Sequence, residues 1–313
     1  MTRPDVVGVG EAMVLLQPAE GERLATAGRM GVHVGGAELN VCAAVARLGG
    51  TAWFASRVGA DPFGERVLAV AASLGVGTSL VGRDGTRPTG VFFKEVLPDG
   101  VRRVHYYRSG SAAAGMDDGD AAAILDARPR AIVVSGITIA LGEGPERLVR
   151  ALAEGARSAG ALLIVDPNLR PALGRQDRVL ATVLDLLPRT DLLVLGQDEA
   201  EPLFGATAPA DVFAAALARR PEGVEVVLKA GADGVYYHGE DGAAGHLPSA
   251  ARVVRDPVGA GDALLGGYLA ARLSGATREH AARVGSALAG RIVEVHGDVE
   301  GLPSATEAAA LLM

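Results

Sequence analysis

The sequence is poor in cysteine, and it contains no long apolar run. Cys42 is the only cysteine among 313 residues, which excludes an intrachain disulfide and a cysteine-based metal cluster. Its apolar, helix-like surroundings predict a buried and inert thiol. No uncharged apolar stretch reaches the ~18 residues that a membrane helix needs, and no signal peptide is evident near Met1. A cytoplasmic location is therefore expected.

The chain also has little excess charge. It contains 37 acidic and 30 basic residues, which give a formal net charge of −7 at pH 7. Lys94 and Lys229 are the only lysines, so the basic residues are otherwise arginines. Lysine and arginine differ chemically, which makes both positions worth attention. Because no block of like charge appears, neither nucleic acid nor an anionic membrane is an expected partner.

Short apolar runs alternate with alanine-rich amphipathic stretches along most of the chain. The apolar runs predict buried parallel strands at Val6–Gly10, Ala52–Ser56, Ala131–Ser135, Leu162–Asp166, Leu192–Leu195 and Val224–Lys229. Helices are predicted at Leu39–Leu48, Gly64–Leu74, Pro145–Ala159, Asp211–Ala218, Ala263–Leu273 and Glu279–Val295. The alternation predicts a single α/β domain over residues 1–313, with a doubly wound, mainly parallel sheet flanked by helices. Ligands of such sheets bind beyond the carboxyl ends of the strands.

Two segments, about residues 13–34 and 89–108, break this alternation. In the second segment, residues 91–96 and 101–108 are strand-like and flank a turn at Pro98-Asp99-Gly100, which predicts a β-hairpin. Together the two segments are expected to form a small sheet that covers the ligand as a lid. The edges of such a sheet can pair with a neighbouring chain, so a homo-oligomer through the lid is expected.

The segment Asp256-Pro257-Val258-Gly259-Ala260-Gly261-Asp262-Ala263 carries the clearest chemical signal. A glycine-rich turn that enters an apolar helix directs backbone N–H groups at one point, which suits a transferring phosphoryl group. Asp262 falls in the first helical turn, where its carboxylate can face an incoming hydroxyl. Taken alone, the pattern fits equally well a tight turn before an ordinary acidic residue. A dinucleotide fingerprint is excluded because Leu264 stands where glycine is required, and Walker A and protein-kinase signatures are absent.

This segment resembles the C-terminal signature of the ribokinase-like (pfkB) carbohydrate kinases. The first signature of that family resembles Val34-Gly35-Gly36-Ala37-Glu38-Leu39-Asn40-Val41-Cys42-Ala43, and Val58-Gly59-Ala60-Asp61-Pro62-Phe63-Gly64 is similar to its next block. The blocks occur in the expected order and span most of the chain. The resemblance implies a ribokinase-like fold, transfer of phosphate from ATP to a sugar hydroxyl, and Mg²⁺ that arrives with the ATP.

The resemblance also implies a role for each matching residue. Asp262 becomes the general base, and the amides of Gly259, Ala260 and Gly261 stabilise charge on the γ-phosphate. The segment from Lys229 to Gly234 matches a nucleotide-binding turn, although a plain strand-to-turn exit has the same pattern. The implied nucleotide-binding residues are Lys229, Gly231, Gly234, Gly259, Gly261 and Ser286.

Metal ions are implied in two places. Glu199 is expected to organise the Mg²⁺ shell through water, although Gly196 replaces an asparagine that relatives carry. An acidic residue at the solvated start of a helix would also explain Glu199. Relatives are activated by a monovalent cation near the position of Asp256, and the sequence leaves this requirement open.

The acceptor is implied by two further motifs. His105-Tyr106-Tyr107-Arg108 and Asp166-Pro167-Asn168-Leu169-Arg170 are similar to motifs of 2-keto-3-deoxygluconate kinases, in which two arginines hold the carboxylate of the sugar acid. Those enzymes phosphorylate the C6 hydroxyl. Phe92 stands where they can place a tyrosine. The implied sugar-binding residues are Gly35, Gly36, Asn40, Phe92, Tyr106, Arg108, Arg170, Asp262 and Asp298.

Two alternatives stay open at this point. Arg108 could also be a solvated arginine at a strand edge, and the neighbouring tyrosines could simply pack the lid. In that case the acceptor is a neutral ketose such as fructose, or another hexonic acid. In a different class, the chain would be a sugar-binding protein without catalysis. Retention of Asp262 and its flanking glycines favours an enzyme.

Overall fold

The chain forms two β-sheets with α-helices packed around the larger one. This computed structural model describes residues 3–97, 101–220, 223–239, 242–295 and 297–312. The strands are β1 (Val6–Val9), β2 (Met13–Gln17), β3 (Gly31–Gly35), β4 (Ala52–Gly59), β5 (Gly77–Asp84), β6 (Val91–Val96), β7 (Arg102–Tyr107), β8 (Ala131–Ser135), β9 (Leu162–Asp166), β10 (Leu192–Gly196), β11 (Glu225–Lys229), β12 (Val235–His238) and β13 (Ala244–Leu247). The helices are α1 (Ala37–Arg47), α2 (Pro62–Ser73), α3 (Ala121–Asp126), α4 (Gly136–Ala140), α5 (Glu143–Gly155), α6 (Gln176–Leu186), α7 (Gln197–Phe204), α8 (Pro209–Leu217), α9 (Ala260–Leu273), α10 (Arg278–Val293) and α11 (Ala305–Leu312).

The large sheet has nine strands in the order β13-β12-β11-β10-β9-β8-β1-β4-β5. Every neighbouring pair from β5 to β11 is parallel, and β12 and β13 continue the sheet in antiparallel pairing. The order runs outward from β1 in both directions, as in a doubly wound sheet. The predicted fold class is therefore confirmed.

Both faces of the large sheet are buried, which explains why its strands read as continuous apolar runs. Val6 packs on the face that α1 and α9 cover, in one cluster with Val41 and Leu265. The next residue, Val7, points to the other face and packs with residues of α5 and α6 such as Leu148 and Val183. Successive side chains of a strand point to opposite faces, so each strand contributes to both halves of the core.

The small sheet consists of β2, β3, β6 and β7 and arises from the two segments that break the βα alternation. Its strand order is β3-β2-β6-β7, with β2 and β6 parallel and the outer pairs antiparallel. One face carries Met13, Leu15 and Phe92, which pack together with Tyr106. The predicted turn at residues 98–100 lies outside the described residues. No described helix combines the length and hydropathy needed to cross a membrane.

Several predicted element boundaries move in the structure. The observed β8 and β9 have the predicted bounds, whereas β4 continues three residues further, to Gly59. Helix α9 begins at Ala260 instead of Ala263, because Gly259 adopts a positive φ of 80° as its N-cap. Sequence patterns predicted neither β5 nor α6, nor the antiparallel strands β12 and β13. Strand β5 lies at the sheet edge and is only partly buried, so it lacks the continuous apolar run of the central strands.

Candidate active site

A cavity of about 680 Å³ lies between the small sheet and the carboxyl ends of the parallel strands. Glu11 enters it just after β1, Arg170 after β9, Glu199 after β10, and Lys229 at the end of β11. This is the edge at which open α/β sheets bind ligands. The predicted residues that line this cavity are Gly35, Gly36, Asn40, Phe92, Tyr106, Arg108, Arg170, Glu199, Lys229, Gly231, Gly259, Gly261, Asp262 and Asp298.

A second, more apolar cavity of about 460 Å³ adjoins the first one. Lys229, Gly231 and Gly261 line both cavities, so the two spaces meet at the glycine-rich turn. The predicted residues found in the second cavity alone are Gly234, Ala260 and Ser286. The structure therefore divides the predicted residues between two connected cavities, with Asp262 in the first, beside Gly261.

Asp262 is buried on the first turn of α9 and is held by one side chain. The amide Nδ2 of Asn40 donates a hydrogen bond of 2.9 Å to its Oδ2. The pKa of Asp262 is raised from 3.8 to about 7, mainly by burial; Asp166 and Asp298 contribute to this rise, while Asn40 and Lys229 oppose it. A carboxylate with a pKa near 7 can accept a proton effectively at neutral pH, so the environment suits a general base.

The turn before Asp262 requires glycine at the N-cap of α9, which is Gly259. Gly259 has a φ of 80°, and a Cβ there would lie 2.7 Å from the backbone oxygen of Asp298. Both the backbone conformation and the close approach exclude larger residues. The first N–H groups of an α-helix lack partners within the helix, and α9 presents this end where the two cavities meet. The turn can therefore hold an anion between them.

Lys229 and two buried carboxylates, Asp166 and Glu199, form a cluster beside this turn. The Nζ of Lys229 lies 2.9 and 3.1 Å from the two carboxylate oxygens of Asp166. Although burial alone would lower it, the pKa of Lys229 is raised by Asp166 and then by Glu199. The pKa of Glu199 is raised in turn, mainly by burial, while Lys229 lowers it. The lysine therefore stays charged at the boundary of the two cavities.

Glu199 is held in place by two backbone amides. Its Oε1 accepts the N–H of Leu169 at 2.6 Å, and its Oε2 accepts the N–H of Gly196 at 2.5 Å. The second bond joins the Glu199 side chain to the backbone of Gly196, the N-cap residue of α7. Within the described residues, no group of three or more His, Cys, Asp or Glu side chains is arranged to hold a metal ion. Mg²⁺ commonly keeps several waters and takes only one or two carboxylates from the protein, so this donor set is compatible with such an ion.

The two predicted arginines line the first cavity in different states. Arg108 is buried, its Nε donates to Glu11 Oε2 at 2.6 Å, and its guanidinium lies 5.5 Å from the centre of the Tyr106 ring. Arg170 is exposed, and its Nη1 donates to the carbonyl of Leu169 at 3.3 Å. The side chain of Arg108 is thus held in one position, whereas the exposed side chain of Arg170 is free to change its conformation.

Glu11 is a site residue that the sequence reasoning missed. It is 2% exposed, it pairs with Arg108, and it also accepts a 2.5 Å hydrogen bond from Ser111 Oγ. Burial raises its pKa, and Arg108 opposes that rise. The available signal was its position as the first charged residue after a buried parallel strand, where ligand-facing side chains are expected.

Fold and site together define a doubly wound α/β protein in which a glycine-rich helix start lies between a polar cavity and an apolar one. Residues 3–305 match the description "pfkB family carbohydrate kinase", and the chain belongs to this family. It is 35% identical over 317 residues to the 2-dehydro-3-deoxygluconokinase of Thermoproteus tenax, covering 98% of this chain and 94% of that protein. The predicted family is therefore confirmed.

Solved structures agree with the fold. A PfkB protein from Polaromonas sp. JS666 superimposes with a TM-score of 0.86 at 34% identity, covering 98% of this chain and 99% of the other. A putative ribokinase II from E. coli, solved in complex with ATP and Mg²⁺, gives a TM-score of 0.89 at 23% identity and covers 99% of both chains. The second likeness concerns the fold alone.

Proposed function

We propose that this carbohydrate kinase transfers the γ-phosphate of ATP to the C6 hydroxyl of 2-keto-3-deoxygluconate, with Asp262 as the general base. One observation carries the choice of acceptor: Arg108 is buried in the same cavity as Asp262 and is held rigidly by Glu11. A fixed guanidinium in a sugar-sized polar cavity suits a carboxylate, which it can bind through two hydrogen bonds. The T. tenax relative, named for this sugar acid, supports the same choice.

The acceptor carboxylate would lie between Arg108 and Arg170. Arg108 shares its charge with Glu11, so its attraction for a second carboxylate is weakened, and the exposed Arg170 supplies an uncompensated charge. Tyr106 and Phe92 stack with ring centres 5.9 Å apart and give the sugar chain a flat wall. Phe92 offers no hydroxyl, so this wall orients the sugar by shape.

The reaction needs one proton to move and one phosphoryl group to pass between two oxygens. Asp262 accepts the proton of the C6 hydroxyl while that oxygen attacks the γ-phosphorus, and ADP leaves with the electrons of the broken bond. The hydrogen bond from Asn40 fixes the orientation of the carboxylate. The amides at the start of α9 stabilise the negative charge on the passing phosphoryl group.

The nucleotide is assigned to the second cavity. Its wall is apolar along α10, where Ser286 and Ala289 leave room for a flat base. Lys229 lies where this cavity meets the first, so its ammonium can contact the phosphates. Mg²⁺ bound to the phosphates would neutralise their charge, and Glu199 would hold its waters. The small sheet acts as a lid that excludes water from the first cavity.

Assembly through the small sheet is part of the proposal. The face of this sheet that points away from the cavity carries Tyr107, which is 69% exposed, and Val32, which is 37% exposed. Exposed apolar side chains on a sheet with free edges favour pairing with a second copy of the chain.

An ADP-release assay with Mg-ATP tests the proposal. The acceptors are 2-keto-3-deoxygluconate, 2-keto-3-deoxygalactonate, fructose and ribose, and Asp262→Asn is the control for catalysis. We expect the keto-deoxy acid to give the highest kcat/KM and phosphorus NMR to locate the phosphate on C6. Preference for fructose or ribose would retain the kinase and reject the carboxylate site. ATP binding without turnover of any acceptor would favour a sugar-binding protein.

A further inference from the structure

Lys94 forms a buried ion pair that joins the small sheet to the glycine-rich turn. It lies on β6, and its Nζ donates to the carboxylate Oδ2 of Asp256. Both side chains are 3% exposed. Lys94 is two residues after Phe92 and so points to the same, cavity-facing side of the sheet. Asp256 opens the turn that leads to Asp262, so the contact reaches from the proposed lid to the proposed phosphoryl site.

Asp256 is fully engaged by this arrangement. Its Oδ1 accepts the backbone N–H of Val258 at 3.2 Å, inside the turn. Its own backbone N–H donates to the carbonyl of Val293 at the end of α10. Arg102, on the neighbouring strand β7, approaches Oδ1 at 3.6 Å and donates to the carbonyl of Arg255 at 2.5 Å. Lys94 therefore pairs with one oxygen of the carboxylate, and the Val258 amide satisfies the other, with the guanidinium of Arg102 nearby.

An added monovalent cation does not fit this environment. A buried carboxylate needs a counter-charge, and here Lys94 already supplies one. A second cation beside Asp256 would meet the ammonium of Lys94 and the guanidinium of Arg102. The ammonium group of Lys94 is also a compact point charge, whereas most other basic residues of the chain are arginines with a broad guanidinium group.

We propose that the ammonium group of Lys94, on the small sheet, takes the place of a bound monovalent cation beside Asp256. The ion pair thereby fixes the position of the phosphoryl-binding turn. Lys94 is thus a positioning residue that acts through Asp256 and the turn. Two consequences follow: the enzyme works without added K⁺, and correct placement of the turn depends on closure of the small sheet. The inference rests on the proposed function only in assigning that turn to the phosphoryl group.

The first test measures the wild-type rate in K⁺-free, Na⁺-free and NH₄⁺-free buffer, with KCl or tetramethylammonium chloride at equal ionic strength. The acceptor is whichever sugar of the panel is phosphorylated. We expect KCl to change kcat by less than about twofold, because the counter-charge of Asp256 is already present. Activation of the wild type by K⁺ above about fivefold, with none by tetramethylammonium, would overturn the proposal.

The second test uses Lys94→Ala, which leaves space for an ion beside Asp256. We expect kcat to fall by at least about tenfold and KCl or NH₄Cl to restore much of it, while tetramethylammonium does not. Lys94→Arg should retain more activity than Lys94→Ala. Arg103→Ala removes the same charge from the outer face of β7 and should leave the rate unchanged. An unchanged rate in Lys94→Ala would overturn the proposal.

Thermal unfolding separates this proposal from the proposed reaction. K⁺ should raise the melting temperature of Lys94→Ala but not that of the wild type, whether or not any acceptor is turned over. If Lys94→Ala does not fold, Lys94→Met with Asp256→Asn removes both charges, and this double variant should fold more stably than Lys94→Met alone. A double variant no more stable than Lys94→Met would show that the charge pair does not hold the turn.

Discussion

The side chains of Asn40 and Asp262 are joined by a hydrogen bond of 2.9 Å, although they are 222 residues apart in the sequence. Asn40 belongs to the first signature and lies on α1, and Asp262 belongs to the last signature and lies on α9. The two helices pack against the same face of the large sheet. This contact brings the implied sugar-binding residues of one signature to the implied base of the other.

Loss of Asn40 should shift the pH dependence of the reaction. The hydrogen bond lowers the pKa of Asp262, so Asn40→Ala should raise that pKa above its present value of about 7. The deprotonated base is then available only at higher pH, and the rising limb of kcat/KM should move towards alkaline pH. A pH profile of both proteins checks this, and a limb at the wild-type position would contradict it.

The two arginines should affect the acceptor and leave the nucleotide unaffected. We expect Arg108→Met and Arg170→Met each to raise the KM for the keto-deoxy acid by about tenfold or more, since a charge-assisted hydrogen bond contributes roughly 1.5–3 kcal/mol. The KM for ATP should stay within about twofold, because a carboxylate contact does not involve the nucleotide. Initial-rate kinetics with each substrate varied in turn separate the two effects. Equal changes in both KM values would indicate a general structural role.

A bulky residue in the second cavity should block the nucleotide. Ser286 lines this 460 Å³ cavity, and Ser286→Phe would fill a large part of it. We expect the KM for ATP to rise by at least about tenfold, which corresponds to about 1.4 kcal/mol of binding free energy, because the phenyl ring would occupy space that the nucleotide needs. Arg283→Phe, on the exposed side of α10, is the matched control. Unchanged ATP binding by calorimetry in Ser286→Phe would place the nucleotide elsewhere.

The Glu11–Arg108 pair should contribute strongly to stability. Both side chains are at least nine-tenths buried, so Glu11→Gln leaves a buried guanidinium without its counter-charge. Breaking such a pair typically costs about 3–5 kcal/mol, and we expect a loss of unfolding free energy of that order. Glu279→Gln breaks the exposed pair with Arg283 and should cost less than about 1 kcal/mol. Equal losses in the two variants by urea unfolding would contradict the assignment.

The sequence predicted the elements that follow one pattern, in which short apolar strands buried on both faces alternate with amphipathic helices. Central strands such as β8 and β9 are buried on both faces, so their apolar runs have clear limits. Strands β12 and β13 are short, half-buried and antiparallel, and they carry no comparable signal. Helix α6 begins after Arg175, which has a positive φ of 58° and offers no side-chain cap, so no start signal marks it.

The residues that line the candidate site were predicted from sequence where they belong to a contiguous motif. They were missed where only tertiary packing brings them to the site. Asp262, its glycines and Lys229 belong to contiguous motifs, and the structure gathers them around two cavities. Glu11 and Lys94 have their present meaning only through partners about 100 and 160 residues away, in contacts that local patterns do not encode. The rarity of lysine marked Lys94, but nothing in the sequence indicated that Asp256 was its partner.

The most direct test of the central claim is the pH dependence of kcat/KM for 2-keto-3-deoxygluconate, measured with Mg-ATP for the wild type and Asp262→Asn. Because burial raises the pKa of Asp262 to about 7, the wild-type value should rise with pH, reach half its maximum near pH 7 and level off above it. Asp262→Asn should be slower by at least about 100-fold, the usual contribution of a general base, and should lack this rise. An Asp262→Asn enzyme that keeps most of the wild-type rate, or the same rise near pH 7, would contradict the assignment of Asp262 as the base.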